Sequence, residues 1–229
     1  EQLKQLFPKT NILRFDSDIA SNERKISKIL NDFQNGNIDI LVGTEMVAKG
    51  HDFPNVNLVG IVSADDFLEH PSYKAAERVF QIITQCVGRS GRGDEPGYAI
   101  VQANSLNNYA IKLACLQDYD LFYKKEMEIR KKLSNPPYFY LSKLIIESKK
   151  EERIEVFTQL FLKTIRNIVN DNEIICYATK INLSSDTFRS NIIIKYKNPS
   201  LIIDFLNKYL NNGSIDHSIS ITVDVDSNG

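Results

Sequence analysis

The sequence predicts two domains: an α/β domain with a parallel sheet in three layers over residues 1–117, and an α+β domain of βαββαβ order over 136–229. Three observations predict them. Short apolar runs alternate with amphipathic helical runs in the first half, the pattern of a parallel sheet with crossover helices. A charged helical stretch over 118–135 has no strand behind it and reads as a connecting helix. After Pro136-Pro137 the order of elements changes to that of the ferredoxin-like split motif.

The opening EQLKQLFPKT begins partway through a helical pattern and without Met, so the chain is expected to be a piece of a longer one. NILRF (Asn11–Phe15) is a short strand ending in Asp16 and Asp18. SNERKISKILNDFQNG follows, with Ile26, Ile29, Leu30 and Phe33 on one helical face, Ser21 as cap and Gly36 as stop. IDILVGT (Ile38–Thr44) and NLVGIVS (Asn57–Ser63) read as strands. SYKAAERVFQIITQCVG (Ser72–Gly88) is a helix placing Ala76, Val79, Phe80 and Ile83 on one side, and GYAIVQA (Gly97–Ala103) is the next strand. DYDLFYKKEMEIRKKL (Asp118–Leu133) is a charged amphipathic helix, stopped by SNPPYFY (Ser134–Tyr140), whose proline pair is expected to extend the chain. The second domain then reads as strand 139–147, helix 150–170, strands 174–181 and 188–197, helix 199–211 and strand 218–225.

At 229 residues, 42% of them hydrophobic and 25% charged, the chain can bury a sizeable core and has an ordinary soluble composition. A formal net charge of −1 gives no bulk attraction to nucleic acid, so any such binding must use a local patch. Cys86, Cys115 and Cys176 form no CxxC pair. Neither a local zinc cluster nor a disulfide framework is written, which favours reduced cysteines in a cytosolic protein. No apolar run approaches the roughly 20 residues of a membrane helix. The first residues also lack a signal-peptide pattern.

Two stretches can carry chemistry. In GTEMVAKGHDFPNV (Gly43–Val56), Gly43 and Thr44 stand at the carboxyl end of a strand, where ligands of open α/β sheets dock. A Gly frees backbone N–H groups and the Thr hydroxyl donates to a phosphate oxygen. Lys49, Gly50, His51 and Asp52 then supply a cation, a joint and an acceptor. A plain strand-to-helix turn with solubilising charge explains the same residues, and Asp52 equally suits a cap.

In TQCVGRSGRG (Thr84–Gly93), Gln85, Gly88, Arg89, Gly91 and Arg92 fit Q-x-x-G-R-x-G-R at a helix C-terminus. The glycines let the backbone turn so that both guanidiniums converge, and each matches phosphate oxygens in a bidentate way. Cations at a helix C-terminus also complement its dipole, at about 0.3–1 kcal/mol. One arginine suits that simpler role; two, with three glycines and a Gln one turn earlier, suit it poorly.

Together the two stretches resemble motifs V (GTEMVAKGHDF) and VI (QCVGRSGR) of the second RecA-like lobe of superfamily 2 helicases. More narrowly, ILVGTEMVAKGHDFPNVNLVGIVSAD, HPSYKAAERVFQIITQCVGRSGRGDEPGYAIVQ and VDVD are similar to the primosomal protein N′ (PriA) family of bacterial replication-restart helicases. The match runs from about Ile12 to Gln102 and continues more weakly through NPPY. The resemblance implies that Arg89 and Arg92 reach the ATP phosphates, with Gln85 coupling that cleft to DNA. Gly88, Gly50 and Asp52 would lie on the nucleotide side. Gly43 and Thr44 would face a phosphate of the DNA tracking strand, with Lys49 a further DNA contact. Glu77 and Arg78 match the stretch before motif VI, where a structural ion pair is expected. Asp16 and Asp18 match an acidic turn, with capping as the competing role.

No GxxxxGK[ST] loop and no DExH box occur; DDFLEH (Asp65–His70) has the wrong spacing. A P-loop grips the β and γ phosphates and positions Mg²⁺, so this chain alone is expected to be inactive. ATP with Mg²⁺ would be held mainly by a first lobe, and zinc only by the family's cysteine-rich insert. In the second domain Lys180, Phe188 and Arg189 are a thin basic and aromatic set of the kind that single-stranded DNA binding uses, and Arg189 is the candidate DNA contact. The resemblance implies forked and single-stranded DNA, the single-stranded-DNA-binding protein and primosome proteins as partners, with no membrane. It also implies a monomer in the bacterial cytoplasm, associated with the nucleoid. The alternatives are another superfamily 2 motor, or a non-catalytic RecA-like binding module.

Overall fold

A computed structural model describes residues 1–15, 23–44, 56–69, 71–88, 97–168, 173–184, 186–211, 216 and 218–225. The chain divides into two units, Glu1–His70 with Ala75–Tyr123, and Pro71–Lys74 with Lys124–Gly229.

The first unit opens with helix α1 (Gln2–Leu6) and strand β1 (Ile12–Phe15). Helix α2 (Glu23–Gln34) follows and ends at Gly36, whose φ of +76° is the left-handed C-terminal position that glycine adopts without strain. Strand β2 (Ile40–Gly43) lies parallel to β1, with Ile12 opposite Ile40 and Phe15 opposite Gly43. The Asn11 amide donates to Asp39 Oδ2 at 2.7 Å and Asn11 Nδ2 to the Asn37 carbonyl at 3.1 Å, pinning the start of that pair. Strand β3 (Leu58–Ile61) leads into a 3-10 turn (Ala64–Phe67), then helix α3 (Ala75–Val87), strand β4 (Tyr98–Val101) and helix α4 (Tyr109–Cys115). β4 is parallel to β3, with Leu58 opposite Tyr98.

The expected parallel α/β texture is present. Among the described residues the four strands form two separate two-stranded pairs. Each strand has only four residues, and no described strand supplies the ladder that would join the pairs. α3 buries Val79, Phe80, Ile82 and Ile83, the face its 3.6-residue period predicts. Against it pack Ile61, Ala110, Ile111, Leu113, Ala114 and Phe122, with the Phe80 and Phe122 rings stacked at 4.1 Å. α3 starts three residues later than its sequence pattern because Ser72 Oγ accepts the Lys74 amide at 3.1 Å, a side-chain turn that replaces the first helical bonds.

Helix α5 (Tyr119–Lys132) spans the division between the units. Asp118 Oδ1 caps its start by accepting the Leu121 amide at 3.0 Å. The Pro136-Pro137 pair, expected to extend the chain, instead sits in a turn with a cis bond, closed by the Tyr138 amide on the Asn135 carbonyl at 3.0 Å.

The second unit runs β5 (Tyr140–Ser148), α6 (Glu151–Ile168), β6 (Ile174–Ala178), β7 (Asn182–Ser184), β8 (Thr187–Tyr196), α7 (Pro199–Leu210) and β9 (Ile219–Val225). Its sheet is antiparallel in the order β6-β8-β5-β9, with short β7 paired to β8 as an unexpected hairpin. Leu144, Ile146, Ile192, Ile194 and Tyr196 project from the sheet onto Ile154, Phe157, Phe161 and Ile165 of α6 and Ile202, Phe205 and Leu206 of α7. Polar groups in this layer are satisfied internally, as where Ser142 Oγ lies 2.8 Å from Tyr196 Oη.

Candidate functional site

Gly43 and Thr44 stand exposed at the carboxyl end of β2, level with buried Phe15 at the end of β1. A hydroxyl standing just beyond an exposed strand end is an arrangement that can offer Thr44 Oγ1 to a phosphate oxygen. Lys49, Gly50, His51 and Asp52 lie outside the described residues, as do Asp16, Asp18 and Ser21.

The second approach point is the end of α3. Gln85 is exposed in its last turn, and the Gly88 amide donates to the Thr84 carbonyl at 3.0 Å. A Cβ on residue 88 would come within 3.3 Å of that carbonyl and 3.6 Å of the Gln85 carbonyl, so a side chain here would crowd the helix end. α3 carries no basic residue in its last turn, which leaves the cations of this stretch to the residues that follow Gly88. Thr84 Oγ1 is buried with no hydrogen-bond partner among the described residues. Arg89, Gly91 and Arg92 lie outside those residues. Upstream in α3, Glu77 Oε1 accepts from Gln81 Nε2 at 3.1 Å and the Arg78 guanidinium lies 5.8 Å from the centre of the Phe67 ring.

One buried carboxylate went unread in the sequence, where Asp65 entered only as part of a failed DExH match. Ser63, with φ 53° and ψ 55°, turns the chain sharply out of β3. That turn brings Asp65, 9% exposed, under the segment after β4. Its Oδ1 accepts the Ser105 amide at 3.0 Å and its Oδ2 accepts the Asn104 amide. Backbone bonds extend the junction, from Gln102 N–H to the Ile61 carbonyl at 2.8 Å and from Ala64 N–H to the Gln102 carbonyl at 2.9 Å. Asp65 thus staples the exits of β3 and β4. Asn108 next caps α4 by accepting the Ala110 amide at 2.9 Å, and α4 packs on α3. The signal available was an acidic residue in the turn after an apolar strand; its partners, about forty residues on, were not legible.

In the second unit Arg189 sits on β8 opposite Glu147 of β5, with Nε 3.6 Å from Oε1 and side chains 44% and 40% exposed. Lys180 is exposed. Phe188 is a correction: it packs against the core layer, because neighbouring residues of a strand point to opposite faces. The exposed ring that shares Arg189's face is Tyr177 on β6, opposite Ile193. Lys195, on that face too, donates from Nζ to the Leu133 carbonyl at 2.9 Å and to Asn135 Oδ1 at 2.8 Å, and burial lowers its pKa below the ordinary lysine value.

Among the described residues no three His, Cys, Asp or Glu side chains converge as a metal site. No described helix is long and apolar enough to cross a membrane. Cys86, Cys115 and Cys176 are not disulfide-bonded, and burial pushes the Cys176 thiol up to about 12.

Residues 1–94 match the Helicase conserved C-terminal domain, which contains both approach points and supports a RecA-like second lobe. Three replication restart proteins PriA are similar over nearly the whole chain. That of Bacillus subtilis is 38% identical over 92% of the chain and 26% of its own length. That of Borreliella burgdorferi is 34% identical over 98% of the chain and 34% of its own length. That of Chlamydia trachomatis is 32% identical over 98% of the chain and 30% of its own length. The chain therefore spans between about a quarter and a third of these relatives, and by a similarity that runs through both of its units it belongs to the PriA family of replication restart proteins.

Proposed function

We propose that this chain supplies the second motor lobe and the C-terminal domain of an ATP-dependent 3′-to-5′ DNA helicase that recognises stalled or repaired replication forks and initiates primosome assembly. Similarity to replication restart proteins over 92–98% of the chain, on both units, carries this reading. The parts are a lobe over 1–117, a connecting helix over 118–135 and a domain over 136–229, whose antiparallel strand order supports the ferredoxin-like assignment.

The chemistry follows from what the side chains can donate. Arg89 and Arg92 follow the glycine that ends α3, and their guanidiniums neutralise charge developing on the transferring γ-phosphoryl, worth roughly 10³–10⁵ in rate. Gly88 keeps the helix end clear for them, and Gln85, one turn earlier, links nucleotide to DNA. Gly50 and Asp52 lie on the nucleotide side, while Gly43, Thr44 and Lys49 hold a phosphate of the tracking strand and Arg189 adds a contact from the second unit. The sequence contains no P-loop. In this reading ATP with Mg²⁺ is held mainly by the first lobe of the full-length protein and zinc only by a cysteine-rich insert, with this chain inactive alone. Forked and single-stranded DNA, the single-stranded-DNA-binding protein and primosome proteins are its partners, met as a monomer in the cytoplasm at the nucleoid.

The test is DNA-dependent ATP hydrolysis by the full-length protein. Arg89→Ala and Arg92→Ala are expected to lower kcat by at least about a hundredfold with DNA binding retained. Normal hydrolysis by both variants sinks the arginine assignment, and a wild-type protein without ATPase activity favours a non-catalytic binding module.

A further inference from the structure

The second unit's sheet ends in an open edge. β9 is bonded to β5 on one side, and no described strand lies on its other. Register decides which backbone groups this leaves free, because alternate residues of an antiparallel strand bond to opposite neighbours. The Thr179 amide donates to the Asn191 carbonyl at 2.8 Å and the Lys197 amide to the Glu173 carbonyl at 3.3 Å. The odd-numbered residues of β8 therefore bond to β6, and its even-numbered ones to β5. That parity gives Ser142, Leu144 and Ile146 to β8, and leaves Lys143, Ile145 and Glu147 to bond with Asp224, Thr222 and Ser220 of β9. Ile221, Val223 and Val225 then turn their N–H and C=O groups away from β5. Ile219, of the same parity, already does so, its amide donating to the Asp216 carbonyl at 3.0 Å.

Side chains add an apolar border to this edge. α6 lies over β5, β8 and β6, and its Phe161 ring meets Phe205 and Tyr209 of α7 at 5.5 and 5.0 Å. Ile203 stands about 160° round α7 from Phe205, on the side away from α6, and is 48% exposed. On the helix side of β9, Ile219 and Ile221 reach the core, while Val223 and Val225 are 37% and 55% exposed. Sheet edges are ordinarily blunted by lysine, proline or a bulge. Ile219–Val225 contains neither residue and pairs with β5 without interruption over seven positions. Its one charge is Asp224, on the opposite face of the sheet. Asp204, beside Ile203, is exposed as well. Among the described residues neither carboxylate has an ion-pair partner, even though Lys143 stands opposite Asp224 on β5.

We propose that the β9 edge takes an extended segment of a partner protein as an added strand, in which apolar residues alternate with lysine or arginine. The segment's backbone completes the bonds of Ile221, Val223 and Val225. Its apolar side chains cover Val223, Val225 and Ile203, and its cations, on the other face, meet Asp224. Main-chain bonds supply affinity in such a pairing, and the alternate side chains supply selection. A segment with acidic alternates would set like charges across from one another, which is unfavourable. None of this depends on the helicase reading.

The probe is a capped octapeptide of alternating valine and lysine, added to this chain. Amide exchange at Ile221, Val223 and Val225 is expected to slow about tenfold at saturation, with Ser220, Thr222 and Asp224 unchanged. The same peptide N-methylated along its backbone should protect none of them, and a valine–glutamate peptide should bind about fivefold more weakly. Val223→Pro removes an N–H that the β5 ladder does not use, and should abolish protection at Ile221 and Val225. Asp224→Lys leaves the backbone alone. It should weaken the lysine peptide about twofold to fivefold and tighten the glutamate peptide by a similar factor. Absence of protection by the lysine peptide overturns the proposal, and so does equal protection by the glutamate or N-methylated peptide. Slow exchange at the three amides without peptide, slower still at higher chain concentration, means that a second copy occupies the edge and overturns it too.

Discussion

The two units bury their strands in different ways. In the second, β5 is paired over nine positions with β8 and seven with β9, and one face of the sheet closes over a twelve-residue core. In the first, four-residue parallel pairs leave Val42, Leu58, Tyr98 and Ile100 between 37% and 66% exposed. The second unit's antiparallel ladders join strands far apart in the chain, β5 with both β8 and β9, and so place β5 inside a continuous sheet, whereas each strand of the first unit is seen paired on one side alone among the described residues. Of the residues proposed for chemistry that are described, Gly43, Thr44, Gln85 and Gly88 lie at the ends of β2 and α3 in the first unit, and Arg189 on β8 in the second. Among the described residues each unit has a buried cluster of its own, twelve residues in the second and ten in the first, so the contrast lies in how the strands are covered and not in the presence of a core.

The sharpest way to break that contrast is to remove a ring from each unit. Phe161 is fully buried against Phe157, Phe205 and Tyr209, with centroids 5.0–6.0 Å apart. Phe161→Ala should cost about 3–5 kcal/mol, read by urea denaturation of this chain. Tyr98→Ser, on the outward face of β4, should cost less than about 0.5 kcal/mol. A Tyr98→Ser penalty near that of Phe161→Ala would mean that the outward face is covered and the contrast false.

Asp65 sharpens the comparison from inside the first unit. Two backbone amides depend on its carboxylate, and a carboxamide offers only one acceptor oxygen in its place. Asp65→Asn should therefore destabilise the first unit by about 1–3 kcal/mol, seen as faster amide exchange at 104–105 and along α4. No change at those amides would show that the β3–β4 junction is held by its backbone bonds alone.

The order of strands and helices was legible because each is a periodic apolar run with a punctuating residue, as Gly36 is for α2. The buried face of α3 was legible from Val79, Phe80 and Ile83 for the same reason. What failed was information carried by partners. Tyr109–Cys115 is only seven residues long, too short for a helical period to stand out, and its burial comes from α3 and Phe122. Phe188 was misplaced because Ile192, Ile193 and Ile194 in succession hide which parity faces the core; the structure decides it through Tyr196 and Ser142. The site was legible as residue types, while nothing local in SADD announced that Asp65 would meet amides beyond β4.

A smaller effect separates the units by pH. Burial lowers the Lys195 pKa, so the folded chain binds that proton less tightly than the unfolded chain does. Below the lowered value the cost of the half-buried charge is fully present. Stability then rises with pH from the lowered value up to the ordinary lysine value. Lys195→Met removes this contribution, so wild type should gain on the variant across that alkaline interval in paired denaturation curves. The opposite slope would mean that the bonds to Leu133 and Asn135 outweigh burial.

The smallest expected stability change decides the most about function. Arg189 and Glu147 are both well exposed and 3.6 Å apart, so water screens the pair and Arg189→Ala should alter stability by less than about 0.5 kcal/mol. DNA binding is the more sensitive readout. A cation that neutralises one phosphate contributes about 0.7–0.9 to the slope of log affinity against log salt, and Arg189→Ala should remove that amount. Glu147→Gln frees the guanidinium and should tighten binding. Thr44→Val loses a neutral donor, so it should weaken binding about threefold to tenfold with the salt slope unchanged. The two variants thus answer in different observables: a charge shows in the slope, a hydroxyl in the intercept. If Arg189→Ala leaves the slope untouched while Thr44→Val weakens binding, phosphate recognition belongs to the strand ends of the first unit and not to Arg189 of the antiparallel sheet.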